Sequence, residues 1–186
     1  LYKSSKDRGA AFIDAPISGG EAGAVAGKLT VMCGGDEAAF KKAEPIMDDY
    51  AKQMTLIGPS GAGQLCKSVN QICIAGILQG LSEGVGFAKT AGLDAEKVFE
   101  AISGGAAQSW QMDNRVKTMV EDKFDFGFAV DWMRKDLRIA LEAARENGAS
   151  LPLTAQVDQY YADVQAMGGG RFDTSSLVKR LIRDPS

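Results

Sequence analysis

The 186-residue chain contains no histidine. Proton transfer near neutral pH would therefore fall to another group, and a partly desolvated lysine is a candidate. An excess of basic charge is also missing, with 21 Lys and Arg against 24 Asp and Glu. No basic stripe suits nucleic acid, and no polybasic patch suits a membrane surface. Cysteine is sparse. Cys33, Cys66 and Cys73 are an odd number at spacings that match no zinc pattern, so no metal site is expected. Cys66 and Cys73 lie a heptad apart on one predicted helix and cannot reach each other, which implies free buried thiols in a reducing cytoplasm. The most apolar run, 72–78, is far shorter than the roughly 20 residues a bilayer requires. The opening Leu1-Tyr2-Lys3 has no signal-peptide core behind it. An initiator Met is absent too, and the chain opens in what reads as the tail of an amphipathic helix ending at Gly9, so a piece of a longer protein is expected.

Two sections differ in character. In 10–58, short apolar runs alternate with turn signals: 11–15 stops at Pro16, 28–33 at Gly34-Gly35, and 54–57 at Gly58. Each has the length and β-branched content of a strand. A helix is expected from Glu37 to Tyr50, with Asp36 as N-cap and Pro45 kinking or dividing it. Strand–helix–strand order of this kind belongs to an α/β layer, and three strands make only the closing part of a doubly wound sheet. From Gly61 onward only helices are expected. A long one runs from Gly63 to Ala91, with Gly76, Gly80 and Gly84 forming a stripe where another backbone could approach. Asp94, Ser109 and Pro152 open further helices, another covers Arg134 to Asn147 before Gly148, and a short one covers Ser175 to Ile182. The domain division expected is 1–60 and 61–186.

Three clusters could carry chemistry. Gly58-Pro-Ser-Gly61-Ala-Gly63-Gln-Leu-Cys-Lys67-Ser-Val-Asn70 sets a lysine and an asparagine three residues apart on a helix, hence on one face, with Gln71 beside them. Asp14-Ala-Pro16-Ile-Ser18-Gly19-Gly20 ends a strand in a hydroxyl and exposed backbone N–H groups, a cradle suited to a carboxylate. In an open α/β sheet, ligands sit beyond the carboxyl ends of strands, where Ser18 is expected. The third is Phe128-Ala-Val-Asp-Trp-Met-Arg-Lys135-Asp136-Leu. Taken singly, each also fits a plainer role: a solvated helix lysine, a turn, and an amphipathic helix start.

Together and in this order, the clusters resemble those of the β-hydroxyacid dehydrogenases. The chain is similar to 3-hydroxyisobutyrate dehydrogenase, 2-hydroxy-3-oxopropionate (tartronate semialdehyde) reductase and their relatives from about Phe12 to Leu181. The resemblance implies the end of a Rossmann-like cofactor domain followed by an all-α domain like the C-terminal part of 6-phosphogluconate dehydrogenase. It implies Ser18, Gly19 and Gly20 as holders of the substrate carboxylate and Lys67 as the catalytic lysine. Asn70 or Gln71 would orient the substrate, since relatives place the amide at either position. Lys135, Phe128 and Asp136 resemble cofactor-pocket residues. NAD or NADP is the implied cofactor, yet Gly61-Ala-Gly63 lacks the third glycine of the Gly-x-Gly-x-x-Gly fingerprint, so the main binding half is expected outside this chain. A small carboxylate substrate and a homodimer or homotetramer follow from the resemblance. The alternative is a non-catalytic helical oligomerisation module, for which Trp110, Trp132 and the glycine stripe would suit a close interface.

Overall fold

The computed structural model describes residues 1–182, and the chain divides into two compact units, Leu1–Asn70 and the remainder from Gln71. In the first unit, β3 (Leu29–Gly35) is the buried central strand, and its Val31 and Cys33 are fully buried. On one side it pairs antiparallel with β1 (Ile13–Asp14) and β2 (Ile17–Ser18), in the register Asp14↔Gly34 and Ser18↔Thr30. The Met32 N–H donates to the Pro16 carbonyl at 3.0 Å, so the ladder continues past the proline. Pro16 offers a carbonyl without needing a donor, as an edge position allows. On the other side β4 (Ala51–Gly58) runs parallel to β3, and α3 (Glu37–Met47) makes the crossover. A small core of Val31, Cys33, Met47 and Ala51, with Ile13, Phe40, Met54 and Leu56 against it, joins sheet and helix. Outside it lie α1 (Tyr2–Asp7), which buries no residue, and α2 (Gly20–Val25).

Several expectations need correction. The chain does not leave the sheet at Pro16: it continues as β2, whose last residue, Ser18, pairs with Thr30 near the amino end of β3. The cause is direction: the β1–β2 segment runs antiparallel to β3, so moving forward along it means moving backward along β3. The short α2 was not anticipated. Pro45 does not divide α3, because only Ile46 and Met47 follow it in the helix and no second segment is left to separate. Asp36 occupies the N-cap position of α3 without a side-chain cap bond.

The second unit holds helices and one terminal three-ten helix, Thr174–Arg180. The long α4 (Ala62–Thr90) begins in the first unit and continues into it. Then come α5 (Ala95–Ile102), α6 (Trp110–Val120), α7 (Val130–Asn147) and α8 (Pro152–Ala166). The punctuation is as the residues dictate. Asp94 accepts from the Lys97 N–H at 3.2 Å, Ser109 Oγ accepts from the Met112 N–H at 3.0 Å, and Gly148 ends α7 in the left-handed region at φ 80°. Two apolar clusters fill the unit, one around Leu78, Met133, Leu137 and Tyr161, the other around Val85, Phe99, Met112 and Met119. Each such side chain stabilises the fold by about 1.5–3 kcal/mol on burial. Among the described residues no second backbone crosses the glycine stripe: Gly76 and Gly84 face the side chains of Leu153 and Phe99, and Gly80 has no neighbour within 4 Å. Helix α7 starts four residues before Arg134, because the Val130 and Asp131 N–H groups find acceptors in the carbonyls of Phe172 and Gly170, at 2.9 and 3.0 Å. Among the described residues no helix is long and apolar enough to cross a membrane, and no group of His, Cys, Asp and Glu could hold a metal ion.

Candidate functional site

The start of α4 is fixed by a residue from another element. Asp14, buried on β1, accepts the N–H of Gly61 at 2.6 Å through Oδ1 and that of Gln64 at 3.1 Å through Oδ2. Ser60 Oγ adds a longer contact of 3.4 Å to Oδ1. A carboxylate thus caps the helix in place of the side chain that usually precedes it, and its charge suits the positive end of the helix dipole. The approach is close enough to require glycine at two positions. A Cβ on Gly63 would collide with the Met32 carbonyl, and one on Gly34 would lie 2.7 Å from the Gly63 nitrogen. The same contacts answer whether this glycine turn could cradle a diphosphate. Two of its leading N–H groups already serve Asp14, whose negative charge would repel a phosphate, so the turn does not fit that role.

With α4 anchored in this way, the helical phase of Lys67 and Asn70 is set. Both are half-buried, and both already take part in interactions within the protein. Ser18 is half-buried at the end of β2, while the exposed Gly19 and Gly20 turn the chain into α2 with φ of 132° and 61°. Those left-handed values are ones only glycine adopts readily. The first unit therefore contains Ser18, Gly19, Gly20, Lys67 and Asn70.

The second unit contains Gln71, Phe128, Lys135 and Asp136. Gln71 is 2% exposed, and its Nε2 donates to Asp136 Oδ2 at 2.7 Å, with Met133 Sδ 3.8 Å away. The second oxygen of Asp136 holds the Lys135 ammonium at 2.7 Å, although the lysine side chain is 56% exposed. Phe128 meets Trp132 edge to face, with ring centroids 6.0 Å apart, and the Arg171 guanidinium lies 5.3 Å over Trp132. An aromatic ring thus lies just before α7, and a half-exposed cation paired with a carboxylate lies in its second turn.

Reading the sequence missed two carboxylates. Asp14 stands in a motif whose local pattern gives it no role, since its partners begin 46 residues further on. Asp173 is 1% exposed and accepts from Arg115 Nε, Ser175 Oγ and the backbone N–H groups of Ser175 and Phe128, between 2.6 and 3.1 Å. Its only local signal is the Asp173-Thr174-Ser175 opening of a helical turn. The thiols also differ from expectation: Cys33 is buried on β3, while Cys66 is half-buried and Cys73 exposed although both lie on nearly one face of α4. Burial pushes the Cys33 thiol up from its ordinary pKa, and the Asp14 charge pushes the same way.

Comparison with known proteins agrees with this layout. Residues 61–181 match the family described as the NAD-binding domain of NADP-dependent 3-hydroxyisobutyrate dehydrogenase, and residues 1–58 match the NAD-binding domain of 6-phosphogluconate dehydrogenase. The chain is 62% identical over 176 residues to an uncharacterized oxidoreductase of Shewanella frigidimarina, covering 95% of this chain and 60% of that protein. To 2-hydroxy-3-oxopropionate reductase of Escherichia coli it is 39% identical over 173 residues, covering 93% and 59%. The structure of Mycobacterium tuberculosis 3-hydroxyisobutyrate dehydrogenase with L-serine superposes with a TM-score of 0.90 at 29% identity, covering 98% of this chain and 65% of that one. The chain thus spans about 60% of the length of these curated relatives. Strands that close a cofactor-domain sheet, a helical domain after them and two matching NAD-binding families together show that this chain belongs to the β-hydroxyacid dehydrogenase family.

Proposed function

We propose that the chain is the substrate-side part of an NAD(P)-dependent oxidoreductase acting on a small β-hydroxyacid or the matching semialdehyde. Residues 1–60 would close the dinucleotide-binding domain, and 61–186 would form the helical substrate and oligomerisation domain. The observation that carries this reading is the anchoring of α4 by Asp14, which holds Lys67 and Asn70 in one phase within the unit that also contains the Ser18-Gly19-Gly20 turn. Relatives named as 2-hydroxy-3-oxopropionate reductase and 3-hydroxyisobutyrate dehydrogenase support the substrate class.

Ser18 Oγ and the Gly19 and Gly20 backbone would bind the substrate carboxylate, with glycine giving the anion close access to the main chain. Lys67 Nζ would take the hydroxyl proton during oxidation and return it during reduction, stabilising the alkoxide as it forms. Asn70 rather than Gln71 would orient the substrate, because the buried Gln71 amide is directed at Asp136. Phe128, Lys135 and Asp136 would hold the nicotinamide end of the cofactor, which when bound supplies the hydride chemistry. Assembly as a homodimer or homotetramer fits the exposure of Phe87, Trp110 and Trp132 on the helical unit.

The test is an assay of the full-length protein with NAD and NADP against 3-hydroxyisobutyrate, tartronate semialdehyde and an uncharged alcohol of similar size. Turnover of the acids with little of the alcohol is expected. Equal rates with acid and alcohol would refute carboxylate recognition, and no cofactor-dependent turnover would leave the helical oligomerisation role as the better reading.

A further inference from the structure

We propose that Asp173 is a positioning residue for the cofactor-facing start of α7, a reading that rests on the assignment of Phe128 and Lys135 to the cofactor pocket. The carboxylate is fully enclosed and is satisfied entirely by donors. Oδ1 accepts from Arg115 Nε at 3.1 Å, the Ser175 N–H at 3.0 Å and Ser175 Oγ at 2.6 Å, while Oδ2 accepts from the Phe128 N–H at 3.0 Å.

These bonds belong to a longer clasp. The Asp173 N–H donates to the Phe124 carbonyl and the Thr174 N–H to that of Phe128, while the Val130 and Asp131 N–H groups donate to Phe172 and Gly170. An isolated antiparallel bridge pairs Ala129 with Asp173. Ala129 is the N-cap residue of α7 and has no side chain to cap it. The path of the chain into α7, and with it the Phe128 ring and the phase of Lys135, is therefore set by the 170–174 segment through Asp173. Gly127, at φ 72°, sits so close that a Cβ there would collide with Asp173 Oδ2. On the far side the Arg115 guanidinium lies between the Trp110 and Phe126 rings, 5.0 Å from each, which holds the counter-charge in place.

An amide cannot fully replace this carboxylate, because with its oxygen kept in the place of Oδ1 its NH₂ group would face the Phe128 N–H and lose that bond. In the full-length enzyme, Asp173→Asn is expected to raise KM for the nicotinamide cofactor about tenfold, as loss of a charged hydrogen bond does. It should leave kcat within about threefold and KM for the hydroxyacid unchanged. Arg115→Met keeps the Phe128 bond and serves as the control for stability alone: its melting temperature should fall with cofactor KM unchanged. If Arg115→Met raises cofactor KM as much as Asp173→Asn does, the effect is general loosening and the proposal is overturned. Should Asp173→Asn fail to fold, Ser175→Ala frees one arm of the carboxylate, and a rise of about threefold in cofactor KM supports the proposal while no change overturns it. Lys135→Ala separates the two layers of the argument. A rise in cofactor KM with Lys135→Ala but none with folded Asp173→Asn defeats the positioning role alone. No rise with Lys135→Ala defeats the pocket assignment and the proposal with it.

Discussion

Asp14 and Gly61 lie 47 positions apart in sequence and are joined by a 2.6 Å hydrogen bond from the glycine N–H to the aspartate Oδ1, which pins the start of α4 to β1. A buried carboxylate serving two helix N–H groups is expected to stabilise the first unit by about 1.5–3 kcal/mol per bond, the range for charged partners. Asp14→Asn should lower unfolding free energy by about 2 kcal/mol in urea titration, since one of its two polar atoms becomes a donor facing another donor. A change below about 0.5 kcal/mol would show that the helix start does not depend on this charge.

How far the fold could be read in advance follows from where each signal lies. Helices α5, α6 and α8 were legible because Asp94, Ser109 and Pro152 act on residues within four positions. Helix α4 was legible because its pattern of apolar residues and glycine runs unbroken from the turn before it to Gly92. The site was legible only as residue types. The two carboxylates that bond the starts of α4 and α7 act across 47 residues, from Asp14 to Gly61, and 58 residues, from Arg115 to Asp173, distances no local pattern reports. Strand β2 and helix α2 are so short that neither periodicity nor length marks them. Gln71 looked equivalent to Asn70 because they are neighbours, yet one helical step turns it inward to Asp136.

Tyr161 predicts an alkaline limit to stability. It is fully buried and donates to the Thr174 carbonyl at 3.1 Å, and burial followed by the nearby Asp173 charge pushes its pKa well above the ordinary value. The neutral phenol is the form that folding favours. Its contribution is therefore complete below the unfolded pKa near 10 and lost as pH rises above it. Melting temperature should fall steeply above about pH 10, and Tyr161→Phe should flatten that slope even if it lowers stability at pH 7. An unchanged slope would place the alkaline transition elsewhere.

The thiols should separate by rate of labelling. Exposed Cys73 is expected to react promptly with a disulfide reagent in the folded protein, and Cys66 more slowly. Cys33 should react only on unfolding, since it is inaccessible and its thiolate is disfavoured by burial and by Asp14. Mass spectrometry after timed alkylation reads the order directly. Early modification of Cys33 would show that the β3 core opens readily.

Ser18 should affect the acid more than the cofactor. In the full-length enzyme, Ser18→Ala is expected to raise KM for the hydroxyacid about tenfold to a hundredfold, from roughly 1.5–3 kcal/mol for a hydrogen bond to a charged group. Cofactor KM should stay within about twofold. The side chain is half-buried at the end of a two-residue strand, so its removal leaves the sheet ladder intact. Parallel rises in both constants would mean that the β2–α2 turn shapes the cleft as a whole and does not read the carboxylate.

Lys67 gives the most decisive test of the proposed chemistry. It sits in the second turn of α4, half-buried, past the Asp14 cap that already fixes the helix, so truncation should leave the fold nearly unchanged. Lys67→Ala is expected to lower kcat by roughly 10²–10⁴, the usual contribution of a positioned acid or base. Lys67→Arg keeps the charge but not the ability to give up a proton near neutral pH, so it should fail nearly as badly. In the wild type the oxidation rate should rise with pH as the amine loses its proton, and that limb should disappear in both variants. If Lys67→Arg turned over at near-normal rates with the same pH profile, positive charge alone would be the requirement at this position. Proton transfer would then belong to another group, and the chain has no histidine to supply it.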